Sequence, residues 1–187
     1  PYILRPLGTL DPADLRKKNL LKKIYVSLLE KRNIAHAAAL HFTSLEEAKV
    51  SERFGLSTRD LVIPLGVNPP DNIQDEKLVN YLQSQAIEIK HPIILFMSRI
   101  EPKKGLDLLL PALEKLLAEG IDFQFILAGA NPQDPNYEAK IRSQIETSPL
   151  AKCTNITGVV TGEIKASLLQ VADIFVLPSY YENFGIA

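Results

Sequence analysis

Two short stretches carry side chains that could act together on an anionic, hydroxylated ligand. The first is Arg99-Ile100-Glu101-Pro102-Lys103-Lys104-Gly105-Leu106-Asp107. A guanidinium at position 99 and an ammonium at 104, beside the unpaired amides of a helix start, make a receptor for a diphosphate. The second is Pro178-Ser179-Tyr180-Tyr181-Glu182-Asn183-Phe184-Gly185-Ile186-Ala187. Glu182 is a poor phosphate ligand, but its carboxylate can accept hydrogen bonds from sugar hydroxyls. The amides of Phe184, Gly185 and Ile186 stand at another helix start and suit an anion. Each stretch also has a plainer reading. Lys103 and Lys104 can be ordinary loop lysines with Arg99 paired to Glu101 on the surface, and Glu182 can simply favour a helix N-terminus.

The elements on either side decide where these residues stand. Ile93 to Met97 is an unbroken apolar run after Pro92, the pattern of a strand buried on both faces of a parallel sheet. Leu106, Leu109, Leu110, Leu113, Leu116 and Leu117 recur at helical spacing, which predicts a helix from Gly105 to Ala118 with Gly120 closing it. A strand from Phe123 to Ala128 leads to a turn at Gly129-Ala130-Asn131-Pro132. A helix from about Asn136 to Glu146, a strand from Asn155 to Thr157, a helix from Glu163 to Val171 and a strand from Ile174 to Leu177 complete the series. Strands alternating with helices imply crossover connections and a parallel sheet, so the fold class is α/β. Both chemical stretches then fall at the carboxyl edge of one sheet, where open α/β sheets bind ligands.

Composition narrows the function class. The chain has 187 residues, 46% hydrophobic and 23% charged, with a net charge of -1, the balance of an ordinary globular protein with no electrostatic pull toward nucleic acid. No apolar run approaches the roughly 20 residues of a membrane span, and the single Cys153 excludes an internal disulfide, so a cytoplasmic setting is expected. His36 and His41 have no carboxylate or cysteine at ligand spacing, and no metal site is predicted. No G-x-G-x-x-G fingerprint is present, against an ordinary NAD enzyme. The chain opens at Pro1 and ends in what reads as a first helical turn, so it reads as an internal fragment.

Toward the N-terminus, Pro1 to Leu7 reads as the end of a strand broken by Gly8. Asp11-Pro12 is an N-cap and N1 pair that opens a long helix to about Arg32. Leu15, Leu20, Leu21, Ile24, Leu28 and Leu29 form its apolar stripe. Arg16, Lys17, Lys18, Lys22, Lys23, Lys31 and Arg32, a third of the chain's 21 Lys+Arg residues, form the opposite face. That face is read first as solvated; the alternative is peripheral contact of helix 11–32 with anionic lipid at the inner face of a membrane, or with an acidic acceptor. Ala37 to Phe42 is a strand, Thr43-Ser44-Leu45-Glu46-Glu47 a capping box for a helix closing at Gly55, and Leu61 to Leu65 a strand. The segment Gly66 to Asn72 is the expected domain boundary, followed by a helix from Asp75 to Ile87.

Ser-Arg-Ile-Glu-Pro-Lys-Lys-Gly-Leu-Asp (98 to 107), Ile-Leu-Ala-Gly (126 to 129), Thr-Gly-Val-Val (157 to 160) and the stretch from Ala172 to Ala187 together resemble the family 4 retaining glycosyltransferases (glycosyl transferases group 1) of the GT-B fold. The resemblance implies two Rossmann-like domains with parallel sheets and flanking helices. Residues 1–68 would be the C-terminal part of the acceptor-side domain, 69–90 a linker and helix, and 91–187 the first two-thirds of the nucleotide-sugar donor domain. It implies an enzyme that moves a sugar from a nucleotide-diphosphate donor to a glycan or lipid-linked acceptor, as in polysaccharide biosynthesis, with retention at the anomeric carbon. Carried over by position, Arg99 and Lys104 stabilise charge on the leaving nucleotide, and Glu182 is the first glutamate of an E-x7-E motif that contacts the donor sugar. Asn183, Phe184, Gly185 and Ile186 meet the sugar and phosphates. Gly129 and the segment Thr157, Gly158, Val159 and Val160 face the nucleotide. No metal and no cofactor is implied, because Arg and Lys supply the positive charge.

Two departures qualify the resemblance. The second glutamate of E-x7-E falls past Ala187, and Leu7-Gly8 stands where many members carry His-Gly, with Arg5 or Thr9 the nearest polar substitutes. The expectation is therefore that this stretch alone binds nucleotide weakly and does not turn over. A nucleotide-sugar-binding module without turnover and a GT-B sugar-nucleotide epimerase are the alternatives.

Overall fold

In a computed structural model of the chain, residues 1–15, 24–66, 75–84, 87 and 90–182 are described. They divide into two compact units with the break between Asn68 and Pro69, and Glu182 groups with the first.

The first unit holds β1 (Ile3–Leu4), α1 (Pro12–Leu15), a π-helical turn (Val26–Glu30) running into α2 (Lys31–His36), β2 (Ala39–Phe42), α3 (Leu45–Val50) and β3 (Asp60–Val62). Its three strands are parallel in the order β1-β2-β3. Leu10, Ile34, Leu40 and Phe42 form the buried core. The capping motif is present: Ser44 Oγ accepts from the Glu47 amide at 3.0 Å. The Glu47 carboxylate reaches back to the amide and hydroxyl of Thr43, at 2.7 and 2.6 Å, so this buried acid is fully used in starting α3.

Several expectations for this unit are corrected. The first and third strands are shorter than predicted, at Ile3–Leu4 and Asp60–Val62. Helix α3 closes at Val50 rather than Gly55, because the Glu52 amide bonds to Leu10 O at 2.8 Å, outside the helix. Gly55, with φ of 78°, serves the turn that follows. The expected apolar stripe is not buried either: Ile24, Leu28 and Leu29 are exposed, and Ile34 takes the core position. The π-helical turn supplies the reason, since one extra residue in a turn rotates everything after it by about 100° relative to the 3.6-residue pattern. Leu20, Leu21 and the basic residues Arg16, Lys17, Lys18, Lys22 and Lys23 lie outside the described residues.

The second unit holds α4 (Asp75–Ser84), β4 (Ile93–Met97), α5 (Leu106–Ala118), β5 (Gln124–Ala128), α6 (Pro135–Glu146), β6 (Thr154–Gly158), α7 (Gly162–Val171) and β7 (Ile174–Phe175). The strands form one parallel sheet in the order β6-β5-β4-β7. Alternation along the strands splits the core in two. Ile94, Phe96, Phe125 and Leu127 pack with the leucines of α5 and with Ile141 and Ile145 of α6, while Ile93, Leu95, Ile126 and Ala128 pack with Leu82, Ile87 and Leu168. Each fully buried side chain of this kind contributes about 1.5–3 kcal/mol. The sheet is therefore held from both faces, and its carboxyl edge is a firm platform for loops.

Candidate functional site

Because all four strands of the second unit run parallel, the segments after β4, β5, β6 and β7 leave the same edge. After β4 the chain moves outward through β5 to β6, and then returns to place β7 on the other side of β4. The carboxyl ends of β4 and β7 thus flank the point where strand order reverses, the position at which ligand crevices form in such sheets.

The loop after β4 is tightly defined. Ser98 and Ile100 extend the ladder by donating to Ala128 O and Ala130 O. A short 3-10 turn, Pro102–Lys104, ends at Gly105, whose φ of 72° reverses the chain into α5. Gly105 is required on a second count, because a Cβ there would lie 2.0 Å from Pro178 O. The two chemical stretches therefore meet at a backbone contact that admits no side chain. Three further contacts join them: the Tyr180 amide donates to Lys103 O at 2.9 Å, the Tyr180 hydroxyl donates to Asp107 Oδ2 at 2.6 Å, and Lys103 Nζ lies 5.4 Å from the centre of the Tyr181 ring. The hydrogen bond to Asp107 pushes the Tyr180 phenol above its usual range, with desolvation and the Asp107 charge adding to it.

Lys104 is buried, at 7% exposure, while the Arg99 side chain is 55% exposed. Arg99 pairs with Glu101 Oε1 at 3.2 Å, and Lys103 shares the same oxygen at 3.6 Å. The surface pairing of Arg99 with Glu101, the plainer sequence reading, is thus present, and as an exposed pair it is worth about 0–1 kcal/mol. Such a pair yields readily to a phosphate.

Gly129 has a structural reason of its own, since a Cβ there would lie 1.9 Å from Ser98 O. Beyond it, buried Asn131 donates to Ile100 O at 2.9 Å and accepts from the Gln133 and Asp134 amides. Its own amide donates to Glu138 Oε2 at 2.5 Å, and that bond lowers the Glu138 carboxyl below its ordinary value, with Arg142 adding to the effect against desolvation. Asn131 thereby ties the β5 loop to the β4 loop, a role that an Asn-Pro turn signal alone did not reveal. At the end of β6 the ladder to β5 is irregular: Leu127 faces Ile156 and Ala128 faces Gly158, leaving Thr157 as the extra residue. Gly158 adopts a left-handed φ of 72°, Val159 is 70% exposed, and Val160 packs on the core face that holds Leu168. Exposed Val159 next to a left-handed glycine suits a ledge under a flat ring.

Glu182 is exposed. Asn183, Phe184, Gly185 and Ile186 lie outside the described residues. In the first unit, Leu7 takes a left-handed φ of 53° with its side chain exposed, and the Thr9 hydroxyl donates to Pro6 O at 2.7 Å. Among the described residues no three His, Cys, Asp or Glu side chains gather as a metal site, and no helix is long and apolar enough to cross a membrane.

Comparison with known proteins decides the family. The family model for glycosyl transferases group 1 matches residues 80–187. The chain belongs to the group 1 glycosyltransferases. Among curated relatives, it is 35% identical over 95 residues to an alpha-D-kanosaminyltransferase of Streptomyces kanamyceticus, covering 51% of this chain and 24% of that protein. It is 29% identical over 133 residues to an uncharacterised glycosyltransferase of Methanocaldococcus jannaschii, covering 67% of this chain and 32% of that protein. Among solved structures, sucrose-phosphate synthase from Thermosynechococcus elongatus superposes with a TM-score of 0.71 at 22% identity, covering 98% of this chain and 46% of that one. The Anabaena protein HepE, solved with UDP-glucose, gives 0.70 at 17% identity, covering 98% and 48%. The chain thus spans about half the length of these solved relatives and a quarter to a third of the curated ones. The fold is the GT-B type, built from parallel sheets with flanking helices.

Proposed function

We propose that the protein carrying this chain transfers a sugar from a nucleoside-diphosphate donor to a glycan or lipid-linked acceptor, with retention at the anomeric carbon and without a metal. Residues 1–68 then belong to the acceptor-side domain and 91–187 to the donor domain, with 69–90 as linker and helix. The observation that carries this reading is buried Lys104, next to Gly105 at the strand-order reversal, on the same loop as Arg99. Lys104 and Arg99 hold the diphosphate and stabilise the charge that grows on it as the sugar bond breaks, an interaction stronger in the transition state than in the ground state. Glu182 accepts hydrogen bonds from the donor sugar, and the amides of Phe184, Gly185 and Ile186 meet sugar and phosphate. The segment Thr157, Gly158, Val159 and Val160, with Gly129 beside it, receives the base. Membership of the family and the UDP-glucose bound to the Anabaena relative support the donor class. The half-buried Cys153 thiol, raised by burial, suits a reducing cytoplasm.

The test is calorimetric titration of the whole protein with UDP, GDP and ADP, repeated on Lys104→Ala. One nucleotide binds, and the substitution weakens it roughly 10- to 100-fold, the range for losing a hydrogen bond to a charged group. Equal binding by the variant overturns the diphosphate assignment.

A peripheral membrane contact through helix 11–32 is favoured by one observation: Ile24, Leu28 and Leu29 are exposed next to exposed Lys31 and Arg32. Apolar residues beside basic ones is the pattern of an interfacial helix. Sedimentation with anionic liposomes then exceeds that with neutral ones, and equal sedimentation removes the idea.

A further inference from the structure

Beside the loop after β4, on the side where Lys103 rather than Lys104 faces outward, lies a cavity of about 440 Å³. Neither Arg99 nor Lys104 lines it. Its wall comes from three places: Lys103 and Asp107 at the start of α5, Tyr137 and Lys140 on α6, and Tyr180 and Tyr181 after β7. The volume falls within the roughly 300–1,000 Å³ of small-molecule sites, and the lining, largely aromatic with a few convergent polar groups, is of the kind such sites use.

Three tyrosines in one cavity are unusual for a chain with only 6 tyrosines. Packing within the core does not account for them, since Tyr180 is 56% exposed and Tyr137 and Tyr181 are part-exposed. Their ring faces are flat and apolar, and their hydroxyls donate and accept. The charges at the rim are balanced: Lys103 is shared with Glu101 at 3.6 Å, and Asp107, which accepts from the Tyr180 hydroxyl at 2.6 Å, offsets Lys140. A phosphate or other dianion would find no surplus of positive charge here. A pyranose ring matches what is present, because its C–H faces lie on phenol rings while its hydroxyls need mixed donors and acceptors at the edge.

We propose that this cavity is a saccharide-binding subsite, separate from the donor pocket, that holds a neutral sugar residue of the acceptor or product chain. The choice of a saccharide rests on the glycosyltransferase reading; the cavity itself does not. Its placement gives the subsite a purpose, since it shares the 3-10 turn with the diphosphate loop and so keeps a glycan beside the site of transfer.

The test titrates the whole protein with four neutral hexasaccharides (malto-, cello-, xylo- and mannohexaose), with hexagalacturonate as an acidic probe and adenosine as a flat aromatic one. UDP is titrated in parallel. At least one neutral oligosaccharide binds; Tyr137→Ala weakens it tenfold or more, and Lys140→Glu, at a helix surface position that does not endanger folding, weakens it about threefold or more. UDP affinity is unchanged in Lys140→Glu. Binding of none of the four, binding of only the acidic probe or only adenosine, or neutral-sugar binding that Lys140→Glu leaves unaltered each overturns the subsite. Because UDP is measured separately, loss of the subsite with UDP bound leaves the donor reading standing, whereas absence of UDP binding removes that reading by itself.

Discussion

The two units solve the same problem with different margins. In the second, every long strand is buried on both faces, with Ile94, Phe96, Phe125 and Leu127 on one side and Ile93, Leu95, Ile126 and Ala128 on the other. In the first, one small core of Leu10, Ile34, Leu40 and Phe42 suffices, and Ile3, Ile24, Leu28, Leu29 and Ile63 are exposed among the described residues. The lesson concerns function as much as stability. Loops that must hold a guanidinium and an ammonium to within a fraction of an ångström emerge from the doubly buried sheet, where the strands beneath them cannot shift.

The sharpest way to break this contrast is Phe96→Ala, which removes a fully buried ring from the centre of the larger core. A loss of about 3–5 kcal/mol is expected in denaturant melts, against less than about 0.5 kcal/mol for Leu28→Ala in the first unit. Comparable losses for the two would erase the difference between the units. Next in size is Gly105→Ala, which meets Pro178 O and also strains a left-handed residue, at a combined cost of about 2–3 kcal/mol. It should loosen the Tyr180 segment from the β4 loop, seen as faster amide exchange at Tyr180; unchanged exchange there would deny that the close approach holds the two together.

A smaller effect sharpens the picture within the second unit. Glu138 is held below its ordinary value mainly by the Asn131 amide, so its contribution is present above the unfolded value of about 4.5 and is lost as pH falls through the lowered folded value. Glu138→Gln should cost about 1 kcal/mol at pH 7, with the gap from the parent closing as pH drops below about 4 in parallel melts. A gap that stays constant with pH would show that the carboxylate charge is not what binds the β5 loop.

Legibility in the sequence followed the same division. The run Ile93–Met97 and the leucine spacing of 106–118 gave their elements almost to the residue, because burial on both faces and a full helical stripe leave little competition. Strand β6 was expected from 155 to 157 and runs from Thr154 to Gly158, its irregular register hiding the ends. The helix from Asp11 was read through Ile24 to Leu29 as one 3.6-residue stripe, and the π-helical turn at Val26–Glu30 defeated that pattern. At the candidate site, Arg99 and Lys104 announced themselves by type. Tyr180 and Asp107, 73 positions apart, did not, nor did the tyrosine cavity. Those contacts depend on β7 lying beside β4, which periodicity cannot encode.

The single oxygen that Arg99 and Lys103 share on Glu101 has a thermodynamic consequence. The loop carries a built-in counterion. When an anion draws Arg99 outward, Lys103 keeps the carboxylate company, so no charge is stranded and the exchange runs between ion pairs rather than from a bare cation. Affinity gained there is a difference between two partnerships. Its dependence on added salt is correspondingly shallow, because the resting state is itself weakened by the same screening.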